Sequence, residues 1–568
     1  MRVFKNTSKR FQQKIEQIRK SMPAGSTDVG PVSICSTASA ISAAVMLRCV
    51  RLRDRSAVLR RCGESIRMSK NLTIVHNPLF LADFPDPSVV VTEDAVYMTT
   101  TSMHFMPGIP IMRSYDLAHW EIISYVYDHF ENNAAHCLED GQSIYSQGSW
   151  ATSFRFHKGI FYVCFNSNDM QNTYIYRTAD LAGSKWHRTV IPGFHHDPSL
   201  LFEDGRVFIV YGNGTIHIKE LESDCTTVKV DGIDQVLLDT PVVEGLNCEG
   251  SHIHKIGDYY YLMMIQWPKS GSGRRIQWCY RSEELLGEYT GKIILDDDMG
   301  YQNNGVAQGG IFKFKNEWYA MLFQDRDSVG RCPVLMPVSW QDDWPVLGIE
   351  GKVPHEYEVP LQEKKAEPFT KSDDFEYETD KLHFAWQFNH NPDDRYWSVT
   401  ERPGHLRLKN GQLSNCLENA RNTLTQRTTG PVSSFYTCLD TSGMQTGDCA
   451  GIAAFQSRWG IAAVTVDDDG KRIVMKTGEG QDEVIVESVP LLADTVHLKV
   501  EFDFTDSRDI AIFYYSYDSV KWIRLGSELK MIYQLRHFVG YRAALFSYAT
   551  EKIGGYVDFD FMRYEPRG

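Results

Sequence analysis

The stretch HHDPSLLFEDGRVFIVYGNG, residues 195–214, reads as a strand, a two-residue turn at Asp204-Gly205 and a second strand. It opens on an acid locked to a proline, Asp197-Pro198. FPDPSVVVTEDAVYMTTTS, residues 84–102, opens the same way at Asp86. Three further stretches superpose on these two without gaps: ATSFRFHKGIFYVCFN from Ala151, EGSHIHKIGDYYYLMM from Glu249 and QGGIFKFKNEWYAMLF from Gln308. Eleven residues after each start comes an aromatic, at Tyr97, Tyr162, Phe208, Tyr260 and Tyr319. The starts lie 65, 46, 52 and 59 residues apart, room for a four-stranded sheet each time. Repeated β units at this period predict a propeller, and five of them a five-bladed one. No convincing helical periodicity interrupts the region.

Equivalent positions of a propeller face its axis together. The first position of the repeat is acidic in three units, at Asp86, Asp197 and Glu249; the other two hold Ala151 and Gln308. A single Asp-Pro-Ser before a strand is an ordinary turn device. Three carboxylates converging on one axial pocket are different, because like charges held close raise one another's pKa and destabilise a fold that does not use them. Cleaving a glycosidic bond calls for such a set: one acid protonates the leaving oxygen, one carboxylate activates water on the opposite face, and a third tunes the proton donor.

The chain from about Asn77 to Gly348 resembles glycoside hydrolase family 43, the group of β-xylosidases and α-L-arabinofuranosidases. The residues that carry the likeness are NPLFLADFPDPSVV, MPGIPIMRSYDLAHW, HHDPSLLFEDGRVFIVYG, EGSHIHKIGDYYYL, GVAQGGIF and VGRCPVLMPVSWQDDWPVLG. The resemblance implies Asp86 as general base, Glu249 as general acid and Asp197 as pKa modulator and orienter, with inversion at the anomeric carbon. It also implies Arg331 as a hydrogen-bonder near the acids and Phe105 as a wall of the sugar pocket. Trp150 reads either as a residue that stacks on a sugar or as a core tryptophan of the propeller, and His252 either as lining the pocket or as a satisfied buried histidine. Many members carry histidine, associated with a central ion or water, where this chain has Gln308. The histidines at 195, 196, 252 and 254 form two pairs on different blades, without the compact spacing of a zinc site.

After PVLG a charged, proline-bearing segment, residues 349–373, reads as a linker. From Asp374 onward short alternating strands predict a second all-β domain, a sandwich resembling the concanavalin-like domain that accompanies many family 43 xylosidases. That likeness implies that the loop in RHFVGYRAALF, with Phe538, helps close the sugar pocket. It also makes Asp374 and Asp558 candidate ligands of a structural Ca²⁺. No cofactor is expected for the chemistry itself.

Of the net charge of −14, residues 1–70 carry +11 (15 Lys/Arg against 4 Asp/Glu), so the other 498 residues carry −25. An acidic body argues against nucleic acid or an anionic membrane as partner and leaves neutral saccharides open. Residues 1–67 are expected to be a disordered basic leader, with domain patterning over 68–348 and 374–568. Twelve scattered cysteines without a CxxC suit reduced thiols and a cytoplasmic setting. The expected activity is an exo-acting β-xylosidase on xylo-oligosaccharides. The alternatives are an α-L-arabinofuranosidase (or a bifunctional enzyme) on arabinoxylan fragments and, from another class, a non-catalytic carbohydrate-binding propeller. Oligomeric state stays open, a homo-oligomer included.

Overall fold

The computed structural model describes residues 72–183 and 185–567, so the expected leader at 1–67 lies outside the described residues. Five four-stranded antiparallel sheets follow one another in strict chain order. Their innermost strands are Ser88–Val91, Ser149–His157, Ser199–Glu203, Gly245–Ile256 and Ala307–Phe314, and each contacts the next around a closed ring. The predicted five-bladed propeller is therefore the observed one. Tight two-residue turns such as Asp204-Gly205, both at positive φ, link inner to second strands. Large apolar residues fill the spaces between blades, among them Phe154, Phe165, Met263 and Leu322.

Cross-strand register places Ser88, Ser153, Ser199, His252 and Gly310 at one equivalent depth, each paired with the residue eleven further on. At three of these sites the serine Oγ accepts the backbone N–H of the next inner strand: Ser88 from Phe154 at 2.9 Å, Ser153 from Leu200 at 3.0 Å, Ser199 from Ile253 at 3.0 Å. The conserved depth of these bonds fastens successive blades at the hub, where inner strands diverge too far for a ladder of their own. Among the described residues no strand is exchanged between the first and last blades. Thr73–His76 instead pairs antiparallel with Glu356–Val359, and Asn77 exchanges hydrogen bonds with the backbone of Leu335 in blade five.

That pairing corrects the reading of 349–373 as a linker. The segment carries a strand of its own, and further on the Lys364 N–H donates to Asp116 and the Glu367 N–H to Glu121, so it is strapped along blade one. Beyond it, an eight-stranded and a seven-stranded sheet stack as a sandwich over a core that includes Trp386, Phe388, Phe435, Leu498, Phe513 and Leu545. The last strand of the eight-stranded sheet comes from the propeller: Phe105–Met106 pairs with Phe388 and Asn389. Propeller and sandwich thus share a sheet. Among the described residues the only helical pieces are short 3₁₀ turns, and no helix is long and apolar enough to cross a membrane.

Candidate active site

Asp86, Asp197 and Glu249 meet at the mouth of the hub. Asp86 receives Arg331 Nη1 on both carboxylate oxygens, at 3.0 Å each, and the Thr101 hydroxyl at 2.7 Å. Glu249 Oε2 accepts from His196 Nε2 at 2.9 Å and from Asn213 Nδ2 at 2.5 Å. Ligand-type atoms of His196, Asp197 and Glu249 all lie within 4.8 Å of one another. Burial pushes the Asp197 carboxyl up to about 7; His196 opposes the rise, while the nearby charges of Glu249 and Asp86 add to it. His196 moves the other way from what its burial favours: the charge of Asp197 and the hydrogen bond to Glu249 raise it to about 9. The raised value favours its imidazolium form, which donates to Glu249.

The backbone explains how the acids reach the axis, and it alters the sequence alignment. By register the counterpart of Asp86 and Asp197 in blade four is Gly250, and Glu249 stands one residue earlier. Irregular pairing on both sides of Glu249 absorbs the offset. Asp86, Asp197, Gly250 and Gln308 share a left-handed φ, at 54°, 46°, 69° and 60°. For the non-glycine residues this conformation costs on the order of 1–3 kcal/mol each. Its recurrence at one depth of the ring fits a kink that turns the chain end into the hub. The Gly250 N–H donates to Asp197. A Cβ at Gly250 would come within 2.9 Å of Gln308 Cγ. Side-chain exposure follows: 6% for Asp86 and Asp197, 16% for Glu249, which stands nearest the entrance.

The sandwich supplies the roof. Phe538, at φ 58°, lays its ring 4.4 Å from the Arg331 guanidinium, and its carbonyl accepts Arg331 Nη2 at 3.3 Å. Trp150 stands edge-on to both His196 and Phe538, at 6.0 and 6.2 Å, its indole fixed to the Ser146 carbonyl. Trp150 and Phe538 are therefore at the edge of the acid cluster. Phe105 is not: its ring is 1% exposed, pressed against Arg542 at 4.2 Å, because its backbone is committed to the sandwich sheet. It backs the wall instead of forming its surface. His252 sits two residues deeper than Gly250, buried against Gly310, and burial drives its pKa down to about 3. It lines the axis below the acids. Gln308 packs over Gly250 at their level.

Asp374 and Asp558 are not brought together. Asp374 is 68% exposed and pairs with Arg563, whereas Asp558 is 3% exposed and held by Arg402 and Arg407 at 2.7–2.8 Å. Two guanidinium groups already neutralise Asp558, and a divalent cation there would face their repulsion. The sequence reading overlooked Asn213, Thr101 and Tyr533, and it weighed His196 only as a metal ligand. Asn213 had one visible signal, a polar residue ending the second strand of the DPS repeat. Tyr533, buried beside Arg331 and Phe538, comes from the far domain and had none.

A five-bladed propeller with a carboxylate cluster at its hub, roofed by a β-sandwich, is an arrangement suited to glycosidic hydrolysis. Residues 75–345 match the model of glycosyl hydrolases family 43, and residues 372–565 that of the beta xylosidase C-terminal concanavalin A-like domain. The chain belongs to glycoside hydrolase family 43. A β-xylosidase of Formosa agariphila is 26% identical over 554 residues, covering 87% of this chain and 90% of its own. A non-reducing end α-L-arabinofuranosidase of Bacteroides ovatus is 29% identical over 355 residues, covering 59% of this chain and 64% of its own. Among solved structures, a bifunctional GH43-CE protein of Bacteroides eggerthii superposes with a TM-score of 0.82 at 39% identity, over 87% of this chain and 64% of that one.

Proposed function

We propose that the protein is an exo-acting β-xylosidase that releases terminal xylose from xylo-oligosaccharides by single-displacement hydrolysis. The observation that carries the reading is the convergence of Asp86, Asp197 and Glu249 under a roof from the second domain. A pocket closed by Phe538 and Trp150 suits a chain end better than a chain interior. In this reading Glu249, nearest the entrance, protonates the glycosidic oxygen. Asp86, held by Arg331 and Thr101, takes a proton from the water that attacks the anomeric carbon from the other side. Asp197 orients Glu249 and opposes loss of its proton. The likeness to a β-xylosidase of Formosa agariphila favours xylose, and the likeness to a non-reducing end α-L-arabinofuranosidase of Bacteroides ovatus is the ground for the second reading, an α-L-arabinofuranosidase.

Incubation with p-nitrophenyl β-D-xyloside and p-nitrophenyl α-L-arabinofuranoside separates the two. Faster release from the xyloside is expected; faster release from the arabinofuranoside selects the second reading. Asp86→Asn and Glu249→Gln should each lower turnover of xylobiose by roughly 10²–10⁴ without unfolding the protein. Near-normal rates in either variant would overturn the assignment of the acids.

A further inference from the structure

We propose that His196 is a positioning residue for proton delivery: with Asn213 it holds one oxygen of Glu249, so that the transferable proton resides on the other. The inference rests on the reading of Glu249 as the proton donor. Both donors converge on Oε2, His196 Nε2 at 2.9 Å and Asn213 Nδ2 at 2.5 Å. An oxygen that accepts two N–H bonds has no room for a third hydrogen, which leaves Oε1 to carry the proton. When Oε1–H passes its proton to the glycosidic oxygen, the C–O bond breaks, the leaving sugar departs as an alcohol and Glu249 becomes a carboxylate. The two N–H groups already in place stabilise that carboxylate as it forms. Water supplies hydroxide to the anomeric carbon and its proton to Asp86; exchange with solvent then removes that proton and reloads Glu249.

The ring is built to stay where it is. His196 lies 3.8 Å from Asp197 Oδ2, edge-on to Trp150 at 6.0 Å and against Phe194 at 5.8 Å. The groups facing it are Asp197 beside it, Asn213 on its own blade, Glu249 on blade four and the neutral Trp150 on blade two. The charge of Arg275 reaches Glu249 and Asp86 from between blades four and five. Removing the ring takes away one of the two donors that hold Oε2.

The test compares His196→Gln, which keeps a neutral donor, and His196→Phe, which keeps none, on two substrates. Xylobiose needs its leaving group protonated; 2,4-dinitrophenyl β-D-xyloside does not. Against xylobiose kcat/KM is expected to fall about tenfold or more in His196→Phe and less in His196→Gln. Against the dinitrophenyl substrate both should stay within about threefold of the parent. Equal losses on the two substrates, or equal losses in His196→Gln and His196→Phe on xylobiose, in variants whose thermal unfolding matches the parent, would overturn the role of His196. If Glu249→Gln also lost both substrates equally, the fault would lie with Glu249 as proton donor.

Discussion

His196 and Asp197 are neighbours in sequence whose protonation is bound together in the fold, and both shifts act in the same direction on stability. Asp197 rises from its ordinary value to about 7, so the stability tied to its protonated form is complete below about pH 4 and lost as pH climbs through 7. His196 rises to about 9, so its contribution is complete below about pH 6.5 and lost as pH climbs through 9. The unfolding temperature of the protein should therefore decline between pH 7 and 9. In the double variant His196→Phe, Asp197→Asn that decline should be flatter, as differential scanning calorimetry across pH 5–10 would register. An identical slope in the two proteins would show that other groups control the alkaline limit. These two residues also mark the limit of reading the sequence: the DPS motif exposed Asp197, but nothing local said that its neighbour would reach across to another blade.

Among the strands, Gly245–Ile256 decides the arrangement of the site. The repeat was legible because inner strands alternate and their turns recur at a common offset, and register bears out that spacing in four of the five blades. In blade four the gap-free alignment is off by one, because irregular pairing absorbs a residue without disturbing the apolar pattern on either side. Gly250 occupies the kink, at φ 69° with Gln308 against it, and so frees Glu249 to stand nearer the entrance. Gly250→Ala combines a disfavoured φ with a 2.9 Å approach to Gln308 Cγ, and its expected cost is on the order of 1–3 kcal/mol. Turnover should drop with it, since Glu249 is the adjacent residue. Circular dichroism melts and xyloside kinetics on the same sample would check both effects; a variant as stable and active as the parent would remove the special status of the kink.

Propeller and sandwich behave as one body because they are joined by more than a linker. Phe105–Met106 completes a sandwich sheet, Arg427 Nε donates to the Asp83 carbonyl, and Gln387 donates to the Pro107 carbonyl. Arg331 reaches across to the Phe538 carbonyl at the site itself. Calorimetry should accordingly record one unfolding transition. Phe105→Ala, removing a ring that is 1% exposed, should lower stability by roughly 3–5 kcal/mol and weaken that coupling. Two resolved transitions in the parent protein would mean the domains fold independently. Apart from the Phe538 loop at the site, these joins could not be drawn from the sequence. Both domains were recognisable from their strand patterns, yet a two-residue strand contributed across a domain boundary leaves no periodic trace, and neither do the arginines that claim Asp558.

The chemistry assigned to the hub has a stereochemical signature that no rearrangement of binding residues can imitate. Single displacement with Asp86 activating water and Glu249 protonating the leaving group must invert the anomeric carbon. Proton NMR of p-nitrophenyl β-D-xyloside during its first minutes with enzyme should show α-xylose before mutarotation mixes the anomers. If β-xylose forms first, the reaction passes through a covalent intermediate, and Asp86 is a nucleophile instead of a base.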